Sequence, residues 1–213
     1  IRDSRWNPAG TEADLLVGRE VETITVALAG GGSQDQLYEY PSRTDCLACH
    51  TEAAGFVLGA RTRQLNRSFP YPAATDNQLR SWNHIGLFSS DIGAPDAYES
   101  YPALGDGSVA VDIRARVYLD VNCAQCHQPG GPAPTAIDLR FDTALVDTNA
   151  LDVVPSAGDL GAADARIIAP GDRVRSVLWL RMSTLDGNRM PTIGSHKVDD
   201  AAVNLIGDWI DSL

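Results

Sequence analysis

Cys46-Leu47-Ala48-Cys49-His50 is the stretch that decides how this chain is understood, and Cys123-Ala124-Gln125-Cys126-His127 repeats its pattern. In each copy two residues separate a pair of cysteines, and a histidine follows at once. The first cysteines of the two copies are 77 residues apart, from residue 46 to residue 123. Together the copies use all four cysteines of the chain and two of its four histidines. The chemistry of this motif is therefore expected twice.

Cys-x-x-Cys-His is the attachment sequence of haem c. The spacing has a chemical reason, because two thiols on one helical turn can each bond to one haem vinyl group. The next residue then lies under the iron, where its imidazole is an axial ligand. The sequence therefore predicts two covalently attached haems, with thioethers to Cys46, Cys49, Cys123 and Cys126 and with His50 and His127 on the two irons.

Other uses of paired cysteines fit less well. A zinc ribbon places its two Cys-x-x-Cys pairs about 15 to 20 residues apart, far closer than the pairs in this chain. A thioredoxin-like dithiol needs a βαβ setting, which neither motif has. Disulfides stay possible in an oxidising compartment. None of the three alternatives requires a histidine at the fifth position, in a chain with only four histidines.

The candidates for the sixth ligand of each iron lie outside the two motifs. Met190 lies in a stretch rich in Gly and Asp ahead of the last predicted helix, where its thioether can reach the iron face opposite His127. Met182, the only other methionine, is its rival, although it follows an apolar run typical of core packing. The first half has no methionine, so His84 is its local candidate, with Met182, His196 or an open site as alternatives.

Hydrophobic periodicity predicts two helices in the second half. One covers residues 108–126 and leads into the second motif, and the other begins after an N-cap at Asp199 and runs to the C-terminus. The segment 128–172 between them is rich in Gly and Pro and is expected to wrap the haem edge. Arg140, Arg166 and Arg173 are candidate partners for the haem propionates, or equally well ordinary surface arginines.

The first half has a different pattern. Residues 6–26 and 36–40 contain short β-favouring stretches, broken by the glycines at 30–32, and residues 76–88 favour a helix. We therefore expect a mainly α fold made of two haem c modules that meet near residues 105–107. Residues 1–107 would form an irregular module with a small β hairpin, and residues 108–213 a class I cytochrome c-like module.

Charge and hydropathy restrict the location and the partners. The chain has 17 Lys and Arg against 28 Asp and Glu, a net charge of −11. This charge repels nucleic acid and favours either a cationic partner or simple solubility. No apolar run approaches the length of about 18 residues that a transmembrane helix needs. Haem c is attached outside the cytoplasm, so we expect a periplasmic or extracellular protein. The start at Ile1 indicates a processed chain or an excised fragment.

Beyond the first motif, the stretches to compare with known proteins are residues 40–43, 58–59, 62–66, 77–79, 122–127, 129–131, 170–172, 189–191 and 208–210. Through these stretches nearly the whole chain resembles a family of bacterial dihaem c-type cytochromes that occur beside, or fused to, propeller-type sugar dehydrogenases of the glucose/sorbosone class. The second half also resembles planctomycete-type cytochrome c modules. The resemblance implies electron acceptance from a partner or a fused domain, but these residues contain no propeller, so no dehydrogenase activity is carried over.

The sequence thus predicts a dihaem cytochrome that transfers electrons between redox partners, with a periplasmic dehydrogenase as the expected donor. An electron-transfer protein is favoured over an enzyme. The enzymatic alternative is a peroxidase-like dihaem protein in which one iron keeps an open site. A further alternative is an electron-transfer subunit of a larger complex.

Overall fold

The computed structural model describes residues 3–213, which contain six α-helices and three separate two-stranded antiparallel sheets. The strand pairs are β1 (Ser4–Trp6) with β2 (Ala13–Leu15), β3 (Glu20–Ala27) with β4 (Ser33–Tyr40), and β5 (Ser68–Pro70) with β6 (Thr75–Asn77). The helices are α1 (Arg43–Leu47), α2 (Thr62–Leu65), α3 (Gln78–His84), α4 (Val111–Asn122), α5 (Val177–Met182) and α6 (Asp200–Asp211).

The expectation of a mainly α fold with a class I cytochrome c-like second module is wrong. Helices, including single 3₁₀ turns, hold 26% of the residues and strands, including isolated bridge residues, hold 15%, and the architecture is not that of a class I cytochrome. The long connection from α4 to α5 explains much of the difference, because 3₁₀ turns are its only helical elements. Left-handed residues such as Asn149 and Asp152, with φ of 54° and 55°, interrupt helical propagation there.

The largest sheet is the β3–β4 hairpin, which lies where the sequence predicts a strand pair before the first motif. Its register pairs Val21 with Glu39 and Ile24 with Gln36. Gly31 and Gly32 close the turn with φ of 89° and 84°, values that side chains with a Cβ rarely adopt. Strand β4 leads directly into α1, so the hairpin sets the entry of the chain into the first motif.

Helix α4 is shorter than the 108–126 predicted from periodicity. It begins at Val111 and ends at Asn122, because Cys123 leaves the helical conformation with φ −125° and begins the turn of the second motif. Ala115 and Leu119 of α4 are fully buried, as the periodicity predicts.

Helix α6 closes the core of the second half. Its N-cap is Asp199, as predicted, and the Asp199 carboxylate accepts from the amide of Ala202 at 3.1 Å. Trp209 and Ile210 are buried against α4 and the 128–172 segment in one apolar cluster. Each fully buried side chain of this size stabilises the fold by about 1.5–3 kcal/mol. Cys123 packs against the same cluster, so the second motif is fixed directly to the core.

Candidate cofactor site

The first motif begins in the short helix α1, whose N-terminus is capped by a capping box of Ser42 and Asp45. The hydroxyl of Ser42 accepts from the amide of Asp45 at 3.2 Å, and the carboxylate of Asp45 accepts from the amide of Ser42 at 2.9 Å. This reciprocal capping satisfies backbone donors that the helix itself leaves free. Arg19 donates to the same carboxylate at 2.8 Å. Arg19 and then Ser42 lower the pKa of Asp45, which keeps the capping group ionised.

Both motifs adopt the same local turn. The histidine amide donates to the carbonyl of the first cysteine at 2.9 Å in each copy, from His50 to Cys46 and from His127 to Cys123. One helical turn therefore carries the two cysteines and the histidine in both places. Such a turn presents two thiols and an imidazole from one short segment, as haem attachment requires.

The histidine rings are oriented by bonds at Nδ1. The Nδ1 of His50 lies 2.6 Å from the carbonyl oxygen of Phe56, and the Nδ1 of His127 lies 3.5 Å from the hydroxyl of Thr135. A carbonyl only accepts, so in the neutral ring of His50 the proton is on Nδ1 and the lone pair is on Nε2. Burial lowers the pKa of His127 and so favours its neutral form. Neutral imidazoles of this kind are suited to axial ligation of iron.

The loop after the first motif is shaped by two left-handed residues. Gly55 and Phe56 have φ of 70° and 60°. This conformation costs a residue with a Cβ about 1–2 kcal/mol of conformational free energy. Phe56 adopts it, and the carbonyl of Phe56 is the group that orients the His50 ring. Large apolar side chains beside the motif are exposed, with 54% of Phe56 and 72% of Val57 accessible. These two side chains place exposed apolar surface beside the first motif.

The two motifs meet through their second cysteines. The Sγ of Cys49 lies 3.8 Å from the Sγ of Cys126, well beyond the ~2.05 Å of a disulfide. All four cysteines are free thiols. The Cys126 thiol donates toward Cys49 and lowers the pKa of Cys49 to about 6, while its own pKa is raised because ionisation would end that interaction. Burial raises the pKa of Cys123 to about 12.

A second close approach follows the second motif. A Cβ on Gly131 would lie 2.3 Å from the carbonyl oxygen of Cys126, so only glycine fits at this point. A Cβ on Gly130 would lie 3.8 Å from the Cβ of Ala53, which places the turn after the second motif against the loop after the first. The sequence places these glycines after the motif but does not indicate these contacts.

The candidate sixth ligands lie outside the motifs. His84 is the last residue of α3 and is exposed. Met190 is 38% exposed in the loop before α6. The two alternatives have other contacts: Met182 packs against the core cluster, and the Nε2 of His196 lies 2.8 Å from a carboxylate oxygen of Glu39. His84 and Met190 therefore stay predictions.

The three arginines that the sequence offers to haem propionates are each paired with carboxylates of the chain. These pairs are Arg140 with Asp138, Arg166 with Asp152, and Arg173 with Asp208 and Asp211. Two other arginines, Arg61 and Arg63, line a cavity of about 240 Å³ together with Arg140. The cavity also touches Ala124 and Gln128, in and just after the second motif. Sequence reasoning did not single out this cavity, because its walls come from both halves.

Within residues 3–213, no three His, Cys, Asp or Glu side chains are grouped so that they could hold a metal ion. A haem iron takes at most two side chains, so the finding does not bear on haem. The free thiols, the repeated turn and the oriented imidazoles form a donor set that fits covalent haem at both motifs.

Comparison with protein-family models, with curated proteins and with solved structures finds no match to this chain. The resemblance to dihaem cytochromes therefore stays an expectation from the sequence. None of the helices within residues 3–213 combines the length and the apolar character needed to cross a bilayer.

Proposed function

We propose that this chain is a dihaem c-type cytochrome that transfers electrons between redox partners, with a dehydrogenase outside the cytoplasm as its donor. The observation that carries the proposal is the repeated turn. Both copies of the motif place two free thiols and a histidine on one turn, with the Nδ1 of each histidine facing an acceptor or hydroxyl group. Two such donor sets in one chain favour two haems.

Each motif would hold one haem with its own residues. Cys46 and Cys49 would form the first pair of thioethers, with the imidazole of His50 on the iron; the second set is Cys123, Cys126 and His127. The bound haem supplies a one-electron Fe(III)/Fe(II) couple. The carbonyl of Phe56 fixes the ring orientation of His50, and burial lowers the pKa of His127 and so favours its neutral form.

His84 and Met190 as sixth ligands would give the two irons different reduction potentials. A second histidine gives a lower reduction potential than a methionine, because the thioether favours the reduced iron. With His84 on the first haem and Met190 on the second, the two haems would differ in potential and electrons would favour the second. Such a difference gives the electron path a direction.

The charge of the chain favours a cationic docking partner. A net charge of −11 produces a field that steers positively charged surfaces toward the protein and falls off within about 10 Å at 0.1 M salt. The proposed compartment is the periplasm or the exterior, where haem c is attached. The chain can act there alone or as an electron-transfer subunit.

Intact mass spectrometry after production in a host that exports the chain and attaches haem c tests this function. The wild-type chain should carry the mass of two haems. Cys46→Ala with Cys49→Ala should remove one haem, and Cys123→Ala with Cys126→Ala should remove the other. A pyridine haemochrome spectrum typical of thioether-linked haem should accompany each retained haem.

The same measurement separates the alternatives. A disulfide between cysteines would make the chain lighter by two hydrogens and add no haem. A bound zinc would appear under native conditions and be lost on chelation. The control is a known cytochrome c that acquires its haem in the same host. If it does so while the wild-type chain carries a disulfide or zinc and no haem, the proposal is contradicted.

A further inference from the structure

We propose that the sulfur atoms of Cys49 and Cys126 form the electron path between the two haems. The inference rests on the proposed function and adds to it a specific pair of atoms. The two Sγ atoms are 3.8 Å apart, which is van der Waals contact, although they belong to different motifs. In the proposed haem-bearing protein each sulfur would be bonded to a different haem.

The sulfur contact is part of a wider packing between the two motif turns. The Sγ of Cys126 also lies 4.0 Å from the carbonyl oxygen of Ala48, inside the first motif. On the other side, Gly130 is packed so that an added Cβ would lie 3.8 Å from the Cβ of Ala53. The two turns therefore approach each other at Ala48, at the sulfurs of Cys49 and Cys126, and near Gly130.

The chemistry of sulfur suits this role. A thioether sulfur is soft and polarizable, and here it would be covalently joined to the porphyrin edge. The path between the haems would then consist of covalent bonds and a single through-space step between Cys49 and Cys126. The first cysteine of the second motif is placed differently, since Cys123 packs against the core of the second half.

The step moves one electron. The haem held at His50 would lose the electron that the haem held at His127 gains, or the reverse, and no bond to Cys49 or Cys126 would form or break. No external oxidant or reductant takes part, because donor and acceptor are in the same molecule.

Four single variants test the path, because each of them removes one thioether and leaves its haem attached through the other. The variants are Cys49→Ala, Cys126→Ala, Cys46→Ala and Cys123→Ala. Haem content is counted first by intact mass. Pulse radiolysis then adds less than one electron per molecule, and absorbance follows its redistribution between the two haems. We expect this redistribution to be slower in Cys49→Ala and Cys126→Ala than in the other two variants.

A wedge variant tests the same path with all four thioethers present. Ala53→Leu adds volume where the two turns meet and should increase the gap between the sulfurs, which would slow the redistribution. Ala73→Leu, at an exposed position in the β5–β6 turn, is the matched control and should keep the wild-type rate. A wild-type rate in Ala53→Leu, with two haems bound, would argue against the path.

A measurement on the wild-type chain does not depend on any single variant maturing. Two haems attached through touching sulfurs should couple excitonically and give a bisignate circular dichroism signal in the Soret region. Either double cysteine variant, with one haem, should lack this signal. A dihaem wild type without it, or equal slowing in all four single variants, overturns the inference but leaves the proposed function intact. A wild type without haem contradicts the proposed function itself.

Discussion

Arg63 and Asp142 form a doubly hydrogen-bonded ion pair between the two halves of the chain, with both nitrogen to oxygen distances at 3.0 Å. The guanidinium carbon of Arg63 lies 5.6 Å from the ring centroids of Tyr101 and Phe141. Its Nε donates to Glu99 at 2.8 Å. Hydrogen bonds to Asp142 and Tyr101 raise the pKa of Arg63, so the guanidinium stays charged. One side chain thus joins segments from both halves.

Replacing Arg63 should therefore weaken the attachment of the halves. We expect Arg63→Ala to lower the free energy of unfolding by about 1–2 kcal/mol, because ring contacts and a bidentate pair are lost at a partly solvated site. Arg63→Lys should fall in between, since it keeps the charge but not the two parallel bonds. Denaturant unfolding measures both. The exposed Arg67→Ala is the control, and equal effects of Arg67→Ala and Arg63→Ala would contradict the assignment.

Asn66 joins three segments within the first half through hydrogen bonds of its side chain. Its side-chain amide donates to the carbonyls of Pro95 and Tyr98 at 3.0 and 2.7 Å, and its oxygen accepts from Asn77 at 2.9 Å. Asn77 in turn caps α3, the helix that ends in His84. The position of the candidate ligand thus depends on Asn66.

Asn66→Ala should lower the free energy of unfolding by about 1–3 kcal/mol, because the buried carbonyl of Pro95 and the part-buried carbonyl of Tyr98 lose their donor. Asn66→Asp should cost more, since it keeps the acceptor but turns a negative charge toward carbonyl oxygens. Denaturant unfolding and hydrogen exchange at the amides of α3 measure the effects. Asn188→Asp, on an exposed loop, is the control. If Asn66→Asp proved as stable as this control, Asn66 would have no such role.

The parts of the fold that depend on neighbouring residues were predictable from sequence. Asp199 was identified as an N-cap because capping needs only an acceptor three residues before a free amide. The β3–β4 pair follows from β-favouring runs on either side of the glycines at 30–32. The turn of each motif is likewise a local property, since its hydrogen bonds span four residues.

The parts that depend on long-range packing were not predictable. The contact between Cys49 and Cys126 joins turns that are distant along the chain, and no periodicity encodes it. The same is true of Arg63 and Asp142, which were not singled out as a pair. The predicted fold class is wrong because the prediction took two helices with a clear periodicity as evidence that the whole second half is helical. The residues between them are held by left-handed turns and side-chain bonds to backbone, which give no periodic signal.

The decrease in the free energy of unfolding at acid pH should depend on Asp138, which is 6% exposed. Hydrogen bonds from Arg140, and to a smaller extent from Thr143, lower its pKa. A carboxylate whose pKa is lower in the folded state stabilises the fold above its unfolded pKa of about 3.9. This stabilisation is lost as the pH falls through the folded pKa.

Asp138→Asn should therefore be less stable than wild type at neutral pH, and the difference should narrow as the pH falls below about 4. Denaturant midpoints across the acid range test this. Asp147→Asn, at an exposed position, controls for the loss of one negative charge. A constant difference between Asp138→Asn and wild type at every pH would rule out the ionised pair as the cause.

The axial ligands can be tested by low-temperature EPR on the oxidised protein. We expect two low-spin signals in the wild type, one lost in His84→Ala and the other in Met190→Ala, because removal of a sixth ligand weakens the ligand field. Met182→Ala and His196→Ala are the comparison variants and should keep both signals. A high-spin wild-type signal that His84→Ala leaves unchanged would remove His84 as a ligand and favour an enzyme with an open site.

Gly131 should be required for the geometry of the second motif. Exchange of glycine for alanine at a compatible backbone position usually stabilises a protein by about 0.4–1 kcal/mol, and Gly107→Ala, with no atom within 4 Å of the added Cβ, should follow that rule. Gly131→Ala should do the opposite and cost about 1–3 kcal/mol, because its Cβ would lie 2.3 Å from the carbonyl oxygen of Cys126. That atom belongs to the motif backbone and cannot move unless the motif moves too.

Gly131→Ala should therefore also lower the fraction of chains that carry a second haem, as counted by intact mass. Stabilisation by both substitutions would mean that the motif turn tolerates displacement and that Gly131 does not constrain it.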